Sequence, residues 1–304
     1  KMKIFIDTAK LDEIKEASLW GVINGVTTNP SLIKAALESE KKKGRKVDME
    51  NYIKEICNII GKGGSISLEV ISLQAEKMVN EAQILFKKFN PIANNIAIKI
   101  PVNTFIKEDN ESNYDGLKAI SQLTGMNIPI NATLIMSPEQ ALLAAKAGAC
   151  YVSPFMGRID DSIRKGLKMA FQPTDCFDSE LVRKITSSKL DQYLKNNIDH
   201  SLDSLYKDET IKNIVSSRTD DGVHDGIDLV KQIIDIFKNY NFKTEVLAAS
   251  VRSKTQVKEV TRAGVDIVTM PFSVIKDMLQ HPNTEAGLKR FCGSVTSEYK
   301  ALFK

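Results

Sequence analysis

Asn95-Ile96-Ala97-Ile98-Lys99-Ile100-Pro101 is an apolar run of strand-like composition with one lysine in its middle. A lysine facing water on a half-buried strand is ordinary. In a run that reads as buried on both faces it is not, because an ammonium stripped of water is costly. Burial favours the neutral amine of a lysine, and a neutral amine can attack a carbonyl to form a Schiff base. The competing reading is an edge-strand lysine whose stem lies on apolar surface while its head reaches solvent. The segment alone leaves the two balanced; its neighbours move the balance.

Working outward, short apolar runs alternate with amphipathic helical stretches. Strands are predicted at residues 3–7, 26–29, 65–70, around Lys99, and at 128–134, 149–153, 246–249 and 267–270. Helical patterns follow nearly all of them, for example at 11–19, 48–60, 74–89 and 113–123. Ser137-Pro138 opens another helix, with Ser at the cap and Pro in the first turn. Repeated strand–helix alternation implies a parallel sheet. Eight such units predict an α/β fold of the (β/α)8 TIM-barrel type, which typically takes about 250 residues. A doubly wound open sheet is the structural runner-up, but no Gly-x-Gly-x-x-Gly fingerprint follows the first strand.

The chain has 304 residues, so length is left over, and the surplus has an address. Residues 171–221, after the sixth strand, are rich in Asp, Ser, Lys and Asn; Leu181, Val182, Ile185, Leu190, Tyr193 and Leu194 give a partial helical pattern. The expectation is a single barrel domain over residues 1–304, with a helical insertion at about 171–221 and an extra C-terminal helix at 284–303. Loops leaving this end of a barrel strand lie on the catalytic face. The insertion is therefore read either as a cover over the site or as peripheral decoration.

Composition excludes several classes of function. The 42 basic and 38 acidic residues give a net charge of +4, too even to imply nucleic acid or a membrane surface but compatible with a local anion site. Cys57, Cys150, Cys176 and Cys292 lie far apart with no CxxC pair, which suggests reduced thiols in the cytoplasm rather than a disulfide frame or zinc site. His200, His224 and His281 show no metal-ligand spacing. No apolar run approaches the ~18 residues of a membrane span, and the N-terminal residues show no signal-peptide pattern.

In a (β/α)8 barrel the active site lies at the C-terminal ends of the strands. The polar residues there are Asp7 on the first strand, Thr28 and Asn29 on the second, Glu69 on the third and Lys99 on the fourth. Asn131 and Thr133 lie on the fifth, Ser153 on the sixth, and Ser250 on the seventh. Phe155 and Arg158 follow the sixth strand and Arg252 follows Ser250. Singly, each has a plain explanation: Asp7 and Asn29 are candidate helix caps, and Ser153 precedes a proline. Together their chemistry converges on a phosphorylated carbonyl substrate. A lysine supplies an iminium as electron sink, a carboxylate moves a hydroxyl proton during C–C cleavage, amides and hydroxyls hold sugar hydroxyls, and arginines clamp phosphate.

These segments carry a resemblance. Phe5-Ile6-Asp7-Thr8-Ala9, Gly25-Val26-Thr27-Thr28-Asn29-Pro30-Ser31, Ile98-Lys99-Ile100-Pro101, Asn131-Ala132-Thr133-Leu134, the run from Val152 through Ser153-Pro154-Phe155-Met156-Gly157-Arg158 to Ile159, and Leu247-Ala248-Ala249-Ser250-Val251-Arg252 resemble the transaldolase family of class I, Schiff-base aldolases. The resemblance covers residues 2–166 and 222–304; residues 171–221 match nothing in it. It implies a (β/α)8 barrel with no metal and no cofactor. It implies Lys99 as the Schiff-base lysine and Asp7 as the carboxylate taking the C4-hydroxyl proton. Glu69 would act through a water held with Thr133. Thr28, Asn29, Asn131, Ser153 and Phe155 would contact the substrate, and Arg158, Arg252 and Ser250 the phosphate. Sugar phosphates are the expected partners, of a homo-oligomer binding neither nucleic acid nor membrane.

The family implies two activities. Transaldolases move a dihydroxyacetone unit from sedoheptulose 7-phosphate or fructose 6-phosphate to an aldose phosphate such as glyceraldehyde 3-phosphate or erythrose 4-phosphate, within the pentose phosphate pathway. Fructose-6-phosphate aldolases release free dihydroxyacetone. In the aldolases the position of Glu69 resembles a glutamine and that of Phe155 a tyrosine, so this chain sides with transaldolases, although its Ala248-Ala249-Ser250 segment looks closer to the short subfamily that includes the aldolases. A non-catalytic sugar-phosphate binder is the alternative of another class; it would need the arginines but not the lysine.

Overall fold

The computed structural model describes residues 1–109, 113–175, 177–197 and 201–304; Cys176 and His200 lie outside them. Eight parallel strands close into a barrel in simple sequence order: β1 Lys3–Asp7, β2 Gly25–Thr27, β3 Ser65–Glu69, β4 Ile96–Pro101, β5 Ile130–Ile135, β6 Tyr151–Pro154, β7 Glu245–Ala248 and β8 Ile267–Met270. β8 pairs with β1, with Phe5 opposite Thr269, and leaves no open edge. The expected (β/α)8 architecture is the one observed.

The strands are short and rich in Ile, Val and Ala because helices cover them outside and side chains fill them inside. All six residues of β4 are buried, Lys99 among them. Several helices start where a side chain satisfies the first free N–H groups. Asn29 accepts from Leu32 N at 2.9 Å and Asp225 from Asp228 N at 2.7 Å, while Ser137, with Pro138 behind it, accepts from Gln140 N at 3.3 Å.

After β6 the chain enters helix Met156–Gly166, then helices Ser179–Lys195, Leu202–Lys207 and Glu209–Ser216, before helix Gly226–Asn239 leads to β7. The three middle helices fill the surplus between the sixth and seventh strands. Of their described residues only Val182 and Thr186 are buried. The C-terminal stretch is a correction: two helices, Pro282–Gly293 and Ser297–Ala301, replace the one expected at 284–303. Gly293-Ser294 ends the first, and the Thr296 hydroxyl caps the second by accepting from Tyr299 N at 3.3 Å.

Candidate active site

Register assembles the centre. Glu69 pairs with Lys99 across β3 and β4, and Lys99 pairs with Asn131 across β4 and β5. Three polar side chains thus stand abreast on adjacent strands. Lys99 is only 5% exposed. Its Nζ lies 3.0 Å from Glu69 Oε2 and donates to the Thr28 carbonyl at 3.1 Å. The Lys99 head therefore does not reach solvent, which excludes the snorkelling alternative.

Beneath and beside the lysine the polar groups hold each other. Asn131 Nδ2 donates to Ser67 Oγ at 3.0 Å, and the Ser153 hydroxyl donates to Asn131 Oδ1 at 2.6 Å. The Thr28 hydroxyl donates to the Ser67 carbonyl at 2.8 Å, so what Thr28 offers Lys99 is its own carbonyl. Thr133 differs: its buried Oγ1 has no hydrogen-bond partner. A buried hydroxyl without a partner costs free energy unless a bound molecule satisfies it.

Asp7 does not cap the first helix, whose cap position is Lys10. It accepts from the Thr27 hydroxyl at 2.6 Å, and Thr27 Oγ1 lies 2.6 Å from Thr269 Oγ1. Thr27 has one hydroxyl proton; when it goes to Asp7, Thr269 donates to Thr27. Burial pushes the Asp7 carboxyl above its ordinary range, opposed by the Thr27 hydrogen bond and the charge of Lys99. Asn29 does cap a helix through its Oδ1, which leaves its amide donors for other work.

The arginines lie around β6 and β7. Phe155 continues β6, bridging to Ala249, and packs with Phe5, Leu247, Ala249 and Ile267. Arg158 is exposed one turn later, and its side chain makes no hydrogen bond or ion pair to a described residue. Ser250 adopts a left-handed backbone with φ +57°, an uncommon conformation for a residue with a side chain. Arg252 grips Asp161 with two parallel bonds of 2.7 Å, Nη1 to Oδ1 and Nη2 to Oδ2, and its Nη1 also donates to the Pro173 carbonyl at 3.1 Å. Burial would raise the Asp161 carboxyl, but the bonds from Arg252 and the charges of Arg252, Arg158 and Arg164 hold it below the usual carboxylate range.

The sequence reading missed Thr27, Ser67, Thr269, Asp161 and Arg164. Thr27 stands inside the Thr27-Thr28-Asn29 stretch and Asp161 three residues after Arg158, so proximity to named residues was the available signal. Ser67 and Thr269 are mid-strand hydroxyls, and nothing local marks them. Among the described residues no three His, Cys, Asp or Glu side chains converge into a metal-binding group, and no helix is long and apolar enough to cross a membrane.

Comparison with known proteins places the chain in a family. The model of the transaldolase/fructose-6-phosphate aldolase family matches residues 4–303. A protein named probable transaldolase from Caldicellulosiruptor saccharolyticus is 40% identical over 291 residues, 95% of both chains. One from Clostridium tetani is 38% identical over 303 residues, all of both chains, and one from Prosthecochloris aestuarii is 39% identical over 290. The chain, a closed eight-stranded barrel, belongs to the transaldolase/fructose-6-phosphate aldolase family.

Proposed function

We propose that this chain is a transaldolase that carries a dihydroxyacetone unit on Lys99, from sedoheptulose 7-phosphate or fructose 6-phosphate to glyceraldehyde 3-phosphate or erythrose 4-phosphate, and that the whole chain, insertion included, works as one domain. The observation that carries the reading is Lys99 Nζ, buried in the barrel 3.0 Å from Glu69, with the partnerless Thr133 hydroxyl two residues beyond Asn131.

Lys99 Nζ attacks the C2 carbonyl of the donor, and loss of water gives the iminium. Glu69 exchanges the protons of this step through a water it shares with Thr133, which would satisfy that hydroxyl. Asp7 takes the proton from the C4 hydroxyl as the C3–C4 bond breaks, and the electron pair of that bond enters the iminium to give an enamine. The aldose leaves, a second aldose phosphate accepts the enamine carbon, and hydrolysis frees Lys99. Asn29, Asn131 and Ser153 hold the three-carbon unit, Phe155 walls it, and Arg158, Arg252 and Ser250 take the phosphate. The iminium is the electron sink, so the scheme calls on no metal or cofactor.

Glu69 and Phe155 favour transfer over release, because they occupy the positions where the aldolases resemble glutamine and tyrosine. Borohydride reduction in the presence of fructose 6-phosphate, followed by mass mapping, tests the lysine: the adduct is expected on Lys99. Release of free dihydroxyacetone as fast as transfer to erythrose 4-phosphate would select the aldolase activity instead.

A further inference from the structure

Arg252 has five N–H donors, and three are spoken for: two by Asp161 and one by the Pro173 carbonyl. The Nε–H and one Nη2–H remain. The guanidinium is crowded where it lies: a Cβ on Gly157 would stand 2.8 Å from Arg252 Nε, 3.0 Å from its Cζ and 2.4 Å from the Ser250 carbonyl. The absence of a side chain at 157 is thus what admits the guanidinium beside the first turn of helix Met156–Gly166.

Asp161 also faces a second arginine. Arg164 is 2% exposed, with Nη1 3.7 Å from Asp161 Oδ1. Its Nη2 donates to the Asp175 carbonyl at 2.7 Å, and its guanidinium carbon lies 5.1 Å from the ring centres of both Phe171 and Phe177. A cation between two aromatic faces is a strong local anchor. One carboxylate therefore joins Arg252, at the mouth of the barrel, to Arg164, which pins the first residues of the insertion. The insertion returns the contact through Pro173.

We propose that Asp161 is a positioning residue for phosphate recognition: it holds Arg252 by one edge and presents the remaining donors to the substrate phosphate, and the start of the insertion, pinned by Arg164, completes the hold through the Pro173 carbonyl. The insertion on this view is part of the wall that selects phosphorylated sugars, not a cover for the enamine. The inference rests on the assignment of Arg252 to phosphate made above.

The test compares fructose 6-phosphate with fructose as donor, with unphosphorylated glyceraldehyde as acceptor, and adds inorganic phosphate as a competitive probe. Arg252→Ala is the reference. Asp161→Asn and Asp161→Glu are each expected to raise KM for fructose 6-phosphate, and the inhibition constant of phosphate, by about tenfold, with kcat and the KM for fructose nearly unchanged. Asp161→Glu keeps the charge that pairs with the buried Arg164 and the partly exposed Arg252, so it retains the fold if Asp161→Asn does not. Arg164→Met is expected to move the same constants in the same direction by less. If Arg252→Ala spares the preference for phosphorylated donor, the phosphate assignment itself fails. If Arg252→Ala abolishes the preference while both Asp161 variants keep it, or lose turnover equally with both donors, Asp161 is merely structural and this proposal alone is overturned.

Discussion

From β1 to β5 the site is held by strands in register: Glu69, Lys99 and Asn131 stand abreast, and their partners Ser67 and Thr28, with Ser153 on the adjoining β6, belong to the same barrel wall. Around β6 and β7 the charged groups sit beyond the strand ends, and Arg252 reaches Asp161 on a helix and Pro173 in the insertion. The first arrangement needs no backbone ordering beyond that of the barrel. The second depends on long-range contacts between loops and a helix. If the proposed function holds, substitutions should separate along the same line, with kcat lost on the lysine side and KM raised on the arginine side.

The comparison breaks most sharply at Lys99. Lys99→Ala and Lys99→Arg should both reduce transfer to below about one per cent, because neither can form the imine. The borohydride adduct should vanish in both, while the folded barrel persists by circular dichroism and thermal melting. A folded Lys99→Ala protein that still transfers dihydroxyacetone at an appreciable rate would refute the mechanism.

Glu69→Gln comes next. An amide cannot shuttle protons, so kcat for transfer should fall by about 10²-fold, with KM for fructose 6-phosphate little changed. Free dihydroxyacetone measured alongside should rise as a share of turnover. A variant that loses KM rather than kcat would move Glu69 to the recognition side.

These two predictions rest on residues that were legible before the structure. Lys99, Glu69, Asp7 and Asn131 could be found because a barrel puts polar strand-end residues on one face, and because the strands that carry them are short and apolar. The eight strands were legible for the same reason. What the sequence hid is contact between distant positions. Thr27 and Thr269 meet at 2.6 Å although 242 residues apart, and Arg252 and Asp161 are 91 residues apart. No local period announces such pairs. The break in the C-terminal stretch is carried by Gly293-Ser294 and the Thr296 cap, but the helical patterns on either side read through it as one helix.

Thr27→Val sharpens the lysine side further. Burial raises the Asp7 carboxyl and the Thr27 hydroxyl opposes that rise. Removing the hydroxyl removes an opposing effect, so Asp7 should hold its proton to higher pH. Asp7 acts as a base and must be unprotonated, so the acid limb of kcat/KM for fructose 6-phosphate should move to higher pH, with the loss greatest at the acid end and small at alkaline pH. Thr27→Ser should restore the wild-type profile. A uniform loss at all pH values would make Thr27 a packing residue instead.

The smallest effect on turnover, and the one that probes the arginine side without touching its donors, is expected at Asp160. This carboxyl is buried between helices, accepting from Gly226 N at 2.8 Å and from Gln256 Nε2 at 3.1 Å. Burial raises it from 3.8 to about 6, opposed by the Gly226 bond and reinforced by the charge of Asp225, which itself bonds Ser179 on the first insertion helix. Between those two pH values the unfolded chain has released a proton that the folded chain keeps. Stability contributed by this group is therefore intact below about pH 4, falls as pH rises to about 6, and stays low above it. The gap of about two pH units corresponds to about 3 kcal/mol. Asp160→Asn keeps an oxygen for the Gly226 N–H and carries no charge, so its stability should lack this fall. Denaturant unfolding of both proteins at pH 5 and pH 7.5 measures it: the variant should gain relative to wild type at the higher pH. Equal dependence on pH would mean that the ionised Asp160 is as well solvated as in the unfolded chain.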